Sequence, residues 1–167
     1  QNGNPLTTAT PLGYTRSMAY NDLSRIESIA EASGQTTTFR YDAAGRVETQ
    51  TDPLGTLTTT YDDNGNPLTV TEGRAVLTRT FDAMDRVATY TDAAGNGIEY
   101  TYFKNGRLKT LKYPDGKTVT YAYDAQHRLK TVTDWSGRVT TYTWDAAGRL
   151  TGINRPNGTR RVNEYTE

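Results

Sequence analysis

An aromatic residue recurs along this chain at a nearly fixed interval: Tyr20, Tyr41, Tyr61, Phe81, Tyr102, Tyr123, Trp144 and Tyr165, at spacings of 21, 20, 20, 21, 21, 21 and 21 residues. Such self-similarity constrains a fold more than composition does, because each repeat must be one supersecondary unit that buries its apolar face only by stacking on neighbours. The segments YDAAGRVETQTDPLGTLTTT (41–60), FDAMDRVATYTDAAGNGIEYT (81–101), YDAQHRLKTVTDWSGRVTTYT (123–143) and WDAAGRLTGINRPNGTRRVNE (144–164) align on that register. Residues 1–167 therefore read as a single array: a partial repeat over 1–19, repeats starting at 20, 41, 61, 81, 102, 123 and 144, and a further one beginning at 165.

Two polar words punctuate each period. Asp42-Ala43-Ala44-Gly45 returns as Asp145-Ala146-Ala147-Gly148, and Asp52-Pro53-Leu54-Gly55 is echoed at 92–95 and 134–137. Asp suits the first position of a type I turn because its side chain accepts a local backbone N–H, Pro suits the second, and Gly the fourth. Both words are hairpin turns, and the stretches between them, about six or seven residues, have the length of ordinary strands. The 12 Tyr, 2 Trp and 3 Phe, with abundant Thr, are strand composition. SRIESIAEA (24–32) has helix-forming residues, but its register with the other repeats assigns it to a strand.

The strand before each repeat aromatic alternates cleanly. Val119, Tyr121 and Tyr123 share one face, as do Ile98, Tyr100 and Tyr102, while Thr118, Thr120 and Ala122 point the other way. After the first turn the apolar residues stand three apart: Leu108 with Leu111, Leu129 with Val132, Leu150 with Ile153. Strict alternation would place each pair on opposite faces, and a β-bulge brings them together, so a bulge is expected there. The fold class is all-β: tandem antiparallel hairpins of about 21 residues stacking into a long curved or spiralling sheet, with edges that need covering. Neither terminus reads as a cap, so the chain is expected to be an excerpt of a longer array.

Nineteen basic and nineteen acidic residues balance without long single-sign blocks, which leaves no electrostatic footprint for nucleic acid. No apolar run approaches the length of a membrane-spanning helix, and residues 1–20 lack the pattern of a secretory leader. With no Cys, there are no disulfides, thiolate zinc sites or cysteine nucleophiles.

The period of about 21 residues, with YDAAGRV, YDAQHRL and WDAAGRL, resembles the YD repeat of the RHS family. That family includes bacterial RHS polymorphic toxins, the C component of insecticidal toxin complexes, wall-associated proteins and animal teneurins. The resemblance implies a sheet that spirals into a hollow shell, which in the toxins encloses a cytotoxic C-terminal domain. It also implies a secreted, extracellular or cell-surface location and, as partners, neighbouring YD repeats and the enclosed toxic domain. Departures from the pattern are Asn66-Pro67 in place of Arg-hydrophobic, Asn21 and Phe103 at the Asp position, and Asp85 and His127 at the turn Gly. Toxin members carry a DPxG word near an autoproteolytic site. Asp52-Pro53-Leu54-Gly55 sits in mid-array with further periods after it, and is read as a turn.

The residues expected to hold the shape are Tyr20, Tyr41, Asp42, Gly45, Tyr61, Asp62, Gly65, Phe81, Asp82, Tyr102, Gly106, Tyr123, Asp124, Trp144, Asp145 and Gly148. The recurrent Asp residues, one per hairpin, are equivalent turn residues and not paired carboxylates or a calcium ladder. His127, the sole histidine, stands at a turn and completes no Ser-His-Asp arrangement. No phosphate-cradling Gly-rich loop is present. The expectation is therefore a non-enzymatic chain without cofactor: a structural segment of a large exported shell. Two other readings remain open. One is an extracellular carbohydrate-binding or adhesion module, with Arg46, Arg107 and Arg149 meeting acidic glycans. The other is a self-assembling element whose edge strands pair with further copies.

Overall fold

The computed structural model describes residues 6–166, so residues 1–5 of the partial first repeat lie outside the described residues. The chain divides into two compact units, Gln1–Arg86 with Thr91–Gly95, and Val87–Tyr90 with Asn96–Glu167. The first unit holds β1 (Thr7–Ala9), β2 (Thr15–Tyr20), β3 (Ile26–Glu31), β4 (Thr36–Tyr41), β5 (Val47–Asp52), β6 (Gly55–Tyr61), β7 (Pro67–Glu72) and β8 (Ala75–Phe81). Next come β9 (Val87–Thr91), β10 (Gly97–Tyr102), β11 (Leu108–Lys112), β12 (Thr118–Tyr123), β13 (Leu129–Thr133), β14 (Val139–Trp144), β15 (Leu150–Asn154) and β16 (Arg160–Val162). Strand order is chain order, and neighbouring strands pair antiparallel, from β1 with β2 to β15 with β16, as the turn, strand, turn, strand reading requires. The tempting segment 24–32 forms β3, a strand.

The expected bulge is present. Tyr102 pairs with Leu108 but Thr101 pairs with Thr110, so Lys109 is the extra residue and Leu108 and Leu111 return to one face. The same slip recurs at Lys130 and at Thr151, and in the first unit at Glu27, Glu48 and Leu68. A strand bent at each bulge carries its first residue away from the following strand: β3 pairs with β4 only from Ser28↔Thr38 onward, and β11 with β12 only from Thr110↔Thr120.

The first turns are closed alike. In the turn after β4, the Asp42 N–H donates to the Arg46 carbonyl at 2.9 Å and the Gly45 N–H to the Asp42 carbonyl at 2.9 Å. That is a three-residue loop whose last residue is left-handed, with Gly45 at φ +87°. Asp85 (φ +57°) and His127 (φ +67°) occupy that position without a glycine, and both types tolerate it better than branched residues do. The second turns differ in length. Asp134 and Gly137 close a three-residue loop, whereas Asp52↔Gly55 and Glu72↔Ala75 are cross-strand pairs that leave two residues between them. Those two shortened loops account for the two 20-residue periods at 41–60 and 61–80.

Each unit is one layer of sheet with two unlike faces. Tyr100, Leu111 and Val119 pair in a row, as do Thr59, Val70 and Leu77. The opposite face carries threonine pairs, with Oγ1 atoms 2.6 Å apart between Thr60 and Thr69 and between Thr101 and Thr110. Among the described residues Val119 is the one hydrophobic side chain buried outright, at 8% exposure. A thick apolar core therefore does not hold these hairpins, and the backbone ladder with its cross-strand pairs must supply most of the cohesion.

Candidate functional site

The repeat aromatic and the turn that follows it form a seam between successive hairpins. The Tyr41 hydroxyl donates to the Ile26 carbonyl at 2.6 Å, that of Tyr61 to Val47 at 2.7 Å, and that of Tyr102 to Val87 at 2.8 Å. Tyr123 donates to the Leu108 carbonyl at 3.1 Å, the Trp144 indole N–H to that of Leu129 at 2.8 Å, and the Tyr165 hydroxyl to that of Leu150 at 2.8 Å. Every acceptor is the first residue of the strand that follows the first turn in the preceding repeat, and for Ile26, Val47, Leu108, Leu129 and Leu150 that strand is bulged. The bulge has carried that carbonyl out of reach of the next strand's backbone, and the aromatic tip supplies the missing donor. Trp performs the same task as Tyr because both put a polar group at the end of a large apolar ring. Phe81 has none, and the Tyr20 hydroxyl also donates to Met18 Sδ at 3.6 Å.

The turn residues complete the seam. Asp42 accepts the Arg46 N–H at 2.9 Å with Oδ1 and the Arg46 Nε at 2.7 Å with Oδ2. Asp82 with Arg86, Asp124 with Arg128 and Asp145 with Arg149 repeat the arrangement. At Asp62 the amide of Asn66 takes the place of the guanidinium, at 3.0 Å, so the departure in sequence keeps the bond. Asn21 likewise accepts the Leu23 and Arg25 N–H groups at 3.0 Å. Phe103 cannot, and packs edge-on against Tyr123 at 6.0 Å instead.

Arginines at these turns also reach the next repeat. Arg25 lies 5.5 Å from the centre of the Tyr41 ring, Arg46 4.6 Å from Tyr61, Arg107 5.6 Å from Tyr123, Arg128 5.9 Å from Trp144 and Arg149 4.8 Å from Tyr165. Arg46 Nη1 further donates to the Asp62 carbonyl at 2.8 Å, and Arg128 Nη1 to that of Asp145 at 2.9 Å. One ring is thus held at its tip by a carbonyl and on its face by a cation, both from the preceding repeat.

These contacts set the charge state of the turns. The Arg46 backbone N–H, then its guanidinium acting against partial desolvation, hold Asp42 below the ordinary 3.8. The Arg149 guanidinium, then its N–H, do the same for Asp145, the Asn66 amide for Asp62, and the Arg86 guanidinium for Asp82. At Asp124 partial burial pulls upward, but the Arg128 N–H and guanidinium outweigh it. A carboxylate held ionised in this way is a poor general acid.

The remaining expected positions have plain placements. Gly65, Gly106 and Gly148 take the left-handed turn position, at φ +92°, +85° and +80°. Of the three arginines singled out for glycans, Arg46 and Arg149 are ion-paired and ring-stacked, and Arg107 lies over Tyr123. Asp52 accepts the Leu54 N–H at 2.8 Å within its two-residue hairpin loop. His127 is exposed, its Nδ1 3.2 Å from Asn105 Nδ2. Among the described residues no group of three or more His, Cys, Asp or Glu is placed to hold a metal ion.

Sequence reasoning overlooked the opposite end of the hairpins in the second unit. There the turns 113–116 and 134–137 bring Tyr113 and Trp135 together, ring centres 6.1 Å apart and planes at 86°. The available signal was that both are aromatic where none of the other second turns from Glu31 to Arg155 has an aromatic residue.

A family model described as RHS Repeat matches residues 20–59, 41–75, 104–139 and 129–160. Among solved structures, the fold is similar to TcdB2–TccC3 without its hypervariable C-terminal region, with a TM-score of 0.82 and 21% identity over 98% of this chain and 10% of that one. The Photorhabdus luminescens Tc holotoxin pore matches with a TM-score of 0.72 and 18% identity over 87% of this chain and 9% of that one. The chain thus spans about a tenth of the length of these solved chains. No curated protein matches it.

Proposed function

The chain belongs to the RHS repeat family, and from that premise we propose that it is a stretch of wall in a large exported YD-repeat shell whose parent encloses or presents a toxic C-terminal domain. The observation that carries this reading is the seam. In repeat after repeat the Tyr or Trp tip, the turn Asp and the following Arg are used to fasten one hairpin to the next, from Tyr41 on Ile26 to Tyr165 on Leu150. A surface whose repeated chemistry is directed along the array is suited to extension and shape. The two unlike faces, threonine pairs on one and aromatic and aliphatic rows on the other, suit a wall with an inside and an outside. Fold similarity to Tc toxin assemblies supports the same reading.

The test uses the full parent protein with its own cysteines removed. Thr59 and Thr60 are adjacent in β6 and alternate to opposite faces, so Thr59→Cys and Thr60→Cys report on the two sides of one wall. In a closed shell a maleimide on a bulky polymer labels one variant and not the other, and both react after denaturation. Equal labelling of both in the native parent would rule out an enclosing wall at this position.

A further inference from the structure

We propose that Asn105 is a self-modifying residue: the Gly106 backbone nitrogen attacks its side chain to form a succinimide, His127 supplies the proton that releases ammonia, and water gives aspartate or isoaspartate. Asn105, Gly106 and His127 all lie within the second unit, and the reaction is independent of whether the parent encloses a toxic domain.

The Asn-Gly pairs 64–65, 105–106 and 157–158 occupy the same place in three-residue loops. Asn96-Gly97 instead follows its loop and leads into β10, and Asn2-Gly3 lies outside the described residues. In the three loops the Gly is left-handed, at φ +92°, +85° and +82°. Its N–H donates to the Asp62, Phe103 or Arg155 carbonyl at 3.1, 2.9 and 3.0 Å, and each Asn is exposed. A residue without a Cβ lets its nitrogen approach the preceding side-chain Cγ once the loop opens. That demand is common to all three, so the partners of the Asn side chains decide which reacts. Asn64 Nδ2 donates to Asp85 Oδ1 at 2.8 Å. Asn157 Oδ1 accepts the Thr159 N–H at 3.1 Å and its hydroxyl at 2.8 Å. Asn105 Oδ1 accepts the Arg107 N–H at 3.3 Å, and its Nδ2 faces His127 Nδ1 at 3.2 Å. The turn itself does not demand an imidazole, since Gly45, Gly65, Gly106 and Gly148 hold the position of His127 in other first turns.

The chemistry favours the third arrangement. Gly106 N gives its proton to solvent and bonds to Asn105 Cγ, and the C=O pair moves onto Oδ1, where the Arg107 N–H stabilises it. Nδ2 is then an amine with a free electron pair. As the pair on Oδ1 returns, the Cγ–Nδ2 bond breaks and Nδ2 takes a proton from the protonated His127 ring, leaving as ammonia. Solvent reprotonates the ring, as imidazole allows near neutral pH. Water then adds to either carbonyl of the succinimide and opens it. The Asp85 carboxylate accepts from Asn64 and has no proton to give, and the Thr159 groups engage the oxygen of Asn157, not its nitrogen. The products differ too: at 105 a new carboxylate faces an imidazole, whereas at 64 it would face Asp85.

The test incubates the chain in neutral buffer at physiological temperature and follows its peptides by mass spectrometry, with aspartate and isoaspartate separated by chromatography. A parallel sample in guanidinium chloride gives the rate of each site without its folded partners, and each folded rate is divided by it. On that scale Asn105 should exceed Asn64 and Asn157 by about tenfold or more. His127→Asn, which tolerates the left-handed backbone, should bring Asn105 down to their level. Asp85→His, at the equivalent position, should raise Asn64 toward it. A dispersed NMR spectrum in each variant establishes that the sheet is intact. Three outcomes overturn the proposal: no excess at Asn105 in the parent chain, an excess that survives His127→Asn, or a folded Asp85→His variant in which Asn64 is no faster.

Discussion

The Tyr41 hydroxyl stands 2.6 Å from the Ile26 carbonyl, fifteen residues back in the preceding hairpin. The bulge at Glu27 has separated that carbonyl from β4, so the phenol replaces a backbone donor. Tyr41→Phe keeps the ring and removes the donor. It should destabilise the chain by about 1 kcal/mol, read as a lower urea midpoint at unchanged slope. Tyr123→Phe, whose bond is longer at 3.1 Å, should lose less. Equal midpoints for Tyr41→Phe and the parent chain would show that water satisfies the carbonyl equally well.

Phe81 offers the converse experiment. It stands fourteen residues after Pro67, as Tyr61 stands fourteen after Val47, and both lie at the end of shortened repeats. Pro67 is the first residue of a bulged strand, as Ile26 and Val47 are. Phe81→Tyr should therefore complete the row and raise stability by about 0.5–1 kcal/mol. A loss of stability would mean that the Pro67 carbonyl is not presented as the others are.

Gly45 and Gly148 are equivalent in sequence and nearly so in backbone, at φ +87° and +80°. Their surroundings differ. A Cβ at Gly45 would run into the Arg25 guanidinium, whereas one at Gly148 meets nothing within 4 Å. Gly148→Ala should bear only the left-handed strain, about 1–2 kcal/mol. Gly45→Ala should exceed it, because Arg25 must also leave its place over Tyr41. The two variants compared by chemical unfolding decide this, and equal losses would mean that Arg25 moves aside freely.

Much of this arrangement is legible in the amino-acid sequence. Leu108 and Leu111, three apart, implied the bulge, and register with the other repeats made 24–32 a strand despite its helix-forming residues. The seam itself was not legible, although its residues were singled out. That Tyr41 bonds Ile26 follows only once the bulge is known to end the β3–β4 ladder at Ser28, a consequence of strand geometry that residue spacing does not display. The arginines were open to two readings, solvent-facing recognition or pairing within the chain. Their place over the following ring depends on how far one hairpin is displaced from the next, which no local pattern encodes. The 20-residue periods were visible as numbers, and the shortened loops at Pro53-Leu54 and Gly73-Arg74 give them a cause.

The turn aspartates make stability depend on pH in a definite direction. Asp42, Asp82, Asp124 and Asp145 all titrate below 3.8 in the folded chain. On acidification the unfolded chain therefore takes up protons first, and the difference in bound protons favours unfolding. The stabilisation is fully present above the unfolded value, falls as pH drops below it, and is gone once the folded values are passed. The thermal midpoint should be flat near neutrality and fall as the pH drops below about 4. Asn at the same position still accepts backbone N–H groups, as Asn21 does from Leu23 and Arg25. The double variant Asp42→Asn, Asp145→Asn should therefore fold at neutral pH with a somewhat lower midpoint and lose less of it on acidification. If its acid loss matches that of the parent chain, the pH dependence arises elsewhere, and the Asp–Arg pairs shape the turn without stabilising it through charge.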